Sequence, residues 1–270
     1  MFMVIVTGAA ALCFEGSLLA NVPRFGLVLL GLYLTGGSAN ALNQYFERDI
    51  DSQMARTRNR RPLPRHSLTP DQALVFSAAI GVLGVAVFAL FFNALSALLA
   101  LATIVFYGFI YTLVLKPRTH LNIVIGGAAG AMAPPIAWAA ATGTISASSW
   151  VLALVIFLWT PPHFWALALF RRDDYVKVRL PMLPVVKGDR ATLDQILVYT
   201  ILLVAVTLAF SLFGTGLIYT AAAAVLGAVF IQKVVATRRH STPKSQRGLF
   251  GYSITYLLVL FGTVIFDKLL

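Results

Sequence analysis

Nine apolar stretches, each near the length of a bilayer-crossing helix, constrain this chain more than any other feature. A helix needs about 20 mostly apolar residues to traverse the hydrocarbon. The stretches are Met3–Ala20, Phe25–Tyr45, Asp71–Phe92, Leu95–Leu115, Leu121–Ala141, Ser149–Phe170, Leu193–Phe213, Thr215–Val235 and Leu249–Phe266. Lipid offers the backbone no hydrogen-bond partners, so each run must satisfy its own amides as a helix. The expected fold is therefore an all-α integral membrane bundle of nine helices, with residues 1–270 forming one polytopic domain. Charged residues make up only 11% of the chain, against roughly 25% in a soluble domain. That balance excludes a soluble enzyme and a disordered chain. A single cysteine, Cys13, excludes an internal disulfide framework.

The net charge of +11 would point to nucleic acid in a soluble protein. Here no soluble domain is left to bind it, and the charge follows topology instead. Nineteen of the 21 basic residues fall in the loops after spans 2, 4, 6 and 8 or, for Lys233, at the end of span 8; only Arg24 and Lys268 fall on the other side. By the positive-inside rule those loops are cytoplasmic, the N-terminus lies inside and the C-terminus outside. With no basic n-region and no cleavage site, the first span does not read as a signal peptide. The expected location is a bacterial inner membrane.

Eight of the ten acids share the basic side and concentrate after spans 2 and 6. In the first cluster Asn43, Glu47 and Asp51 are spaced i, i+4, i+8. On a helix such residues share one face, about 6 Å apart in rise. Two carboxylates and an amide are oxygen donors suited to a hard cation such as Mg²⁺, which completes its shell with water and substrate phosphate. Arg56 and the arginines behind it can bind phosphate oxygens bidentately. The same residues would also suit a helix end with surface ion pairs. The second cluster holds Arg171, Arg172, Asp173, Asp174 and Lys177, then Lys187. Both clusters run into a Leu-Pro pair, Leu63-Pro64 and Leu183-Pro184. That repetition points to a duplicated unit of four helices that brings both helix ends to one cavity.

Span 6 carries Pro161, Pro162, His163, Phe164 and Trp165 inside the membrane. His163 lies eight residues before Arg171, about 12 Å inside the basic boundary. An intramembrane ionisable residue is a functional candidate, or else a neutral histidine bonded to a neighbouring helix. Span 5, with Gly126, Gly127, Gly130, Pro134 and Pro135, suits close packing or a bent pocket wall. Tyr107 and Tyr111 in span 4 stand near Lys116 and Arg118, as interfacial anchors or as part of the site.

These segments resemble the UbiA-type intramembrane prenyltransferases, and among them the haem-farnesylating branch. Asn43, Glu47 and Asp51 match the superfamily's Asn-x-x-x-Asp/Glu-x-x-x-Asp motif. The stretch Leu115 to Gly130, the stretch Leu158 to Ala168 with its Pro-Pro-His-Phe-Trp core, and Asp174-Tyr175 with Pro181 to Pro184 are similar to the haem branch specifically. Val178-Arg179 replaces the Ala-Gly pair usual before Pro-Met-Leu-Pro. A strict second Asp-x-x-x-Asp is absent, which leaves both Asp173 and Asp174 open as metal ligands. The family also usually carries a basic segment ahead of its first span, where this sequence reads Met1-Phe2-Met3.

The resemblance implies a nine-helix UbiA-type bundle with its cavity open to the cytoplasmic side. It also implies Mg²⁺ as cofactor, with haem B and farnesyl diphosphate as substrates, yielding haem O and diphosphate. The implied site has Asn43, Glu47, Asp51, Asp173 and Asp174 for metal, and Arg56, Lys116, Arg118 and Lys187 for diphosphate. Tyr107 and Tyr111 are expected to line it, Phe164 and Trp165 to shelter an allylic cation, and His163 to contact haem or position water. Haem A synthase or terminal oxidase assembly would be partners downstream. Two other readings stay open: a UbiA-type enzyme acting on an aromatic quinone precursor, and a secondary transporter with repeated halves.

Overall fold

The computed structural model describes residues 1–269, and within them every regular element is helical. Eight helices are long and apolar enough to cross a membrane: α2 (Val22–Phe46), α4 (Pro70–Phe91), α5 (Ala94–Leu115), the broken pair α6 (Asn122–Gly130) and α7 (Ala133–Thr142), α8 (Ala147–Phe170), α11 (Gly188–Phe213), α12 (Leu217–Arg239) and α13 (Pro243–Leu269). The ninth expected span is the shorter helix α1, Phe2–Glu15. Its 14 residues reach about 21 Å, against roughly 30 Å of hydrocarbon. The helix stops before the expected Ala20 because Gly16 turns left-handed at φ 93°. The Glu15 carboxylate then accepts hydrogen bonds from Ser17 N–H and Oγ–H. Three short helices lie in the loops: α3 (Arg48–Gln53), α9 (Arg172–Lys177) and α10 (Leu183–Val186).

Local chemistry sets the other boundaries. Thr69 and Gln72 form a reciprocal capping box ahead of Pro70, which starts α4 with a residue that has no N–H to leave unpaired. Asn93 caps α5 through Ser96 N–H, and its amide also donates to Ala139 O at 2.7 Å, tying the α4–α5 turn to the end of α7. α6 and α7 part at Ala131-Met132, just before Ala133-Pro134-Pro135. The prolines give α6 no amides to bond back to. In α8 the helix runs on through Pro161 and Pro162.

Small residues let the spans approach closely, as packing in lipid requires. On α2, Gly31 faces the Phe88 ring, and a Cβ at Gly84 of α4 would lie 2.9 Å from the Thr35 backbone nitrogen. Ser38 Oγ–H crosses the same contact to Ser77 O at 2.8 Å. α8 and the α6–α7 pair are the most enclosed spans, while α4, α5 and α12 turn most of their apolar side chains outward. Three of the basic loops, those after α2, α5 and α8, converge at one end of this core, and that is where the site lies.

Candidate active site

The helix face read from the spacing of Asn43, Glu47 and Asp51 persists across the junction of two helices. α2 ends at Phe46, yet Glu47 N–H bonds to Asn43 O at 3.0 Å and Asp51 N–H to Glu47 O at 2.8 Å. Helical register is kept, so all three side chains stay on one face, and all three are buried. Bases meet them there. Arg61 pairs with Asp51 and lies 3.8 Å from Glu47, whose other oxygen pairs with Lys116. The loop between turns back through Thr57, whose hydroxyl donates to Asp51 O at 2.8 Å and whose own carbonyl receives Arg61 N–H at 2.9 Å. Burial pushes the Asp51 carboxyl above its ordinary value; the charge and hydrogen bond of Arg61 oppose the shift, and Glu47 adds to it.

The second cluster contributes selectively. Asp174 reaches across the sequence to accept Ala55 N–H at 3.1 Å, joining the loop after α2 to the loop after α8. Its other oxygen is buried without a partner, as is Arg56 Nε. Asp173 lies exposed on the far side of the same turn. Tyr175 is buried beside them, and burial raises its hydroxyl, with Arg56 opposing and Asp174 and Glu47 adding. This bond brings the two loops together beside the first cluster.

A cavity of about 420 Å³ runs inward from these charges. Glu47, Asp51, Arg56, Arg61 and Lys116 line its polar end, together with Tyr107, Tyr111 and Tyr175. The Tyr107 and Tyr111 rings lie 5.1 Å apart and tilted by 31°, and Tyr111 lies where a Cβ on Gly126 would collide with it. Further in, the walls are apolar, from Ile156, Trp159, Phe164 and Leu257 to the residues around the α6–α7 break.

Not every predicted residue reaches this space. Trp165 is fully buried on the other side of α8, edge-on to Tyr199 of α11 at 5.4 Å. Arg118 and Lys187 are exposed and do not line the cavity. His163 is buried beside the wall, not in it: its ring stacks on Trp159 at 4.3 Å and Phe250 at 4.6 Å, and Nδ1 meets Ser253 Oγ at 2.7 Å. Ser253 spends its proton on Phe250 O at 2.6 Å. Nδ1 is therefore the protonated nitrogen, and Nε2 keeps its lone pair. Arg61 and Tyr175 were missed as site residues. Arg61 is one of six arginines between Arg48 and Arg65, and nothing but the fold of the loop singles it out. Tyr175 carried a signal in its place next to Asp174.

The donor set suits a hard divalent cation. Among the described residues no three acidic, histidine or cysteine side chains converge into a ready-made cage. Mg²⁺ does not require one, since it takes one or two carboxylates and draws its other oxygens from water and phosphate. Glu47 and Asp51, which line the cavity, meet that need; Asn43, buried one helical turn before Glu47, and Asp174, one of whose oxygens is buried without a partner, are further oxygen donors that do not themselves line it.

Residues 3–260 match the UbiA prenyltransferase family, and the chain belongs to it. Among named relatives, the protoheme IX farnesyltransferase of Janthinobacterium sp. (strain Marseille) is 46% identical over 98% of this chain and 92% of its own length. That of Synechocystis sp. (strain ATCC 27184 / PCC 6803 / Kazusa) is 44% identical over 99% and 85%. The fold is also that of a solved digeranylgeranylglyceryl phosphate synthase, with TM-score 0.80 at 18% identity over 98% of this chain and 92% of the other. A UbiA homologue from Archaeoglobus fulgidus, solved bound to GPP and Mg²⁺, aligns with TM-score 0.63 at 15% identity over 98% and 96%.

Proposed function

We propose that this membrane protein transfers a farnesyl group from farnesyl diphosphate to a vinyl group of haem B, with addition of water, to give haem O and diphosphate. The observation that carries this reading is the cavity itself: acids and bases gather at its mouth, and its interior is apolar and aromatic. The names of the relatives at 44–46% identity support the choice of haem as acceptor. Asn43, Glu47, Asp51 and Asp174 would hold Mg²⁺, as the Archaeoglobus fulgidus homologue with GPP and Mg²⁺ supports. Bound there, the metal supplies positive charge to the diphosphate.

The chain's own groups do the rest. Arg56, Arg61 and Lys116 stand where diphosphate oxygens would enter and stabilise the charge that grows on them as the allylic C–O bond breaks. The bonding pair leaves with diphosphate. The aromatic faces of Phe164 and Trp159 shelter the farnesyl cation. Trp159 thus takes the place that the sequence pattern gave to Trp165. The terminal vinyl carbon of haem bonds to the farnesyl carbon, which moves the positive charge to the carbon beside the pyrrole. Water adds there and gives up one proton. Apolar walls keep other water from quenching the first cation. We place the site on the cytoplasmic face of a bacterial inner membrane, on the strength of the basic loops.

Mass spectrometry of haem extracted after incubation of the purified chain with haem B, farnesyl diphosphate and Mg²⁺ tests the reading. The expected product is heavier than haem B by farnesyl plus water and is absent with EDTA. Diphosphate release with unmodified haem would reject the acceptor. A prenylated aromatic acid in a parallel incubation would favour the quinone-precursor reading.

A further inference from the structure

Thr112 does not bond as buried threonines in the regular α-helical spans commonly do. Thr35, Thr160 and Thr207 each return their hydroxyl proton to the carbonyl four residues back, at 2.7–2.8 Å. Thr112 reaches five back, to Tyr107 O at 2.7 Å. It can do so because α5 widens to π pitch over Phe106–Leu115, a segment that ends with Lys116 N–H on Tyr111 O at 2.8 Å. Such widenings are uncommon and gather at functional sites.

The hydroxyl has one proton, and Tyr107 O takes it. Toward α2 it therefore presents only lone pairs. There it meets Asn43 Nδ2 at 3.3 Å. An asparagine amide can rotate to place either its oxygen or its nitrogen at a given spot, and its hydrogen bonds decide which. Thr112 accepts and cannot donate toward Asn43, so it fixes Nδ2 on its own side. Asn43 Oδ1 is turned away from Thr112, and among the described residues no donor is bonded to it.

We propose that Thr112 is a positioning residue that locks the Asn43 amide with its oxygen presented for metal coordination, and that the π-pitch segment of α5 exists to place this hydroxyl. The inference rests on the reading of Asn43 as a metal ligand given above. Ligand atoms turned in advance bind more tightly than ligand atoms that must be turned on binding.

The test uses the full chain in detergent, with inorganic pyrophosphate at fixed concentration and Mg²⁺ titrated, and reads the rise in melting temperature. Thr112→Val keeps the shape and removes the hydroxyl; it is expected to raise the half-effective Mg²⁺ concentration roughly fivefold, the worth of one neutral hydrogen bond. Thr112→Ser should stay within about twofold of the unaltered chain. The decisive variant is Thr112→Val combined with Asn43→Asp. A carboxylate has two equivalent oxygens and needs no orienting, so Thr112→Val should cost less than about twofold in that background. An unchanged Mg²⁺ requirement in Thr112→Val, or the same fivefold penalty in the Asn43→Asp background, overturns the proposal. Should Thr112→Val not fold, Thr112→Ala makes the same comparison with a smaller side chain. No Mg²⁺ response in the unaltered chain would instead overturn the metal reading, and this inference with it.

Discussion

The two charged clusters look like copies in the sequence and are built differently in the fold. The one after α2 is enclosed: Asn43, Glu47 and Asp51 are each at most 6% exposed, and each has a partner from elsewhere in the chain. The one after α8 is mostly solvent-facing, and only Asp174 and Tyr175 turn inward. The difference teaches that a run of acids and bases does not itself make a site. The first cluster continues a helix, so a four-residue spacing becomes one face. The second sits in a single short turn of helix, so adjacent acids diverge and one of the pair is left outside.

That contrast can be broken most directly by neutralising acids one at a time. Asp51→Asn and Glu47→Gln should each lower kcat on the order of 10³-fold, measured as haem O formed under saturating substrates. Asp173→Asn should change it by less than about twofold, since surface substitutions seldom matter. Equal losses in all three would mean that the clusters are equivalent. Asp174→Asn keeps the shape and weakens the acceptor for Ala55 N–H; a loss of about 10- to 100-fold is expected, as for groups that support a metal site. Activity like that of Asp173→Asn would remove the second cluster from the chemistry.

A third measurement concerns haem. His163→Ala should weaken haem binding about tenfold, through its contact with Trp159 or its free Nε2, and leave the KM for farnesyl diphosphate unchanged. An unaltered Soret titration would reduce His163 to packing. The smallest effect concerns pH. Because the folded Asp51 pKa lies above its ordinary value, its stabilising contribution is present below about pH 3.9 and is lost as pH rises through the folded value. In Asp51→Asn the group is neutral throughout. Without metal, the melting temperature of the unaltered chain minus that of Asp51→Asn should therefore fall by a few degrees between about pH 4 and pH 7. A difference that grows with pH would mean that Arg61 outweighs burial.

The sequence held much of this site because its two strongest signals are local. Apolar length gives spans in lipid, and spacing by fours gives a helix face, whatever the rest of the chain does. It failed where the answer depended on distant neighbours. Arg61 and Arg60 are indistinguishable until the turn at Thr57 aims one of them inward. Trp165 and Phe164 are both aromatic, and only the rotation of α8 sends one to the cavity and the other to Tyr199. The length of α1 turned on one left-handed glycine. Thr112 had no signal, because a switch to π pitch is not written in hydrophobic periodicity.

The hydrogen bond from Ala55 to Asp174 spans 119 residues of chain. On a ribosome adding about 5–20 residues per second, that separation lasts roughly 6–24 s. Asn43 waits 69 residues for Thr112. During synthesis, then, the buried acids of the first cluster enter the membrane surface long before the groups that complete their surroundings exist. The pocket is a late product of biogenesis, closed only once α8 has followed the earlier helices into the bilayer. A nascent chain halted before that point holds the first cluster with Arg61 and Lys116 but lacks the wall and the loop that α8 supplies.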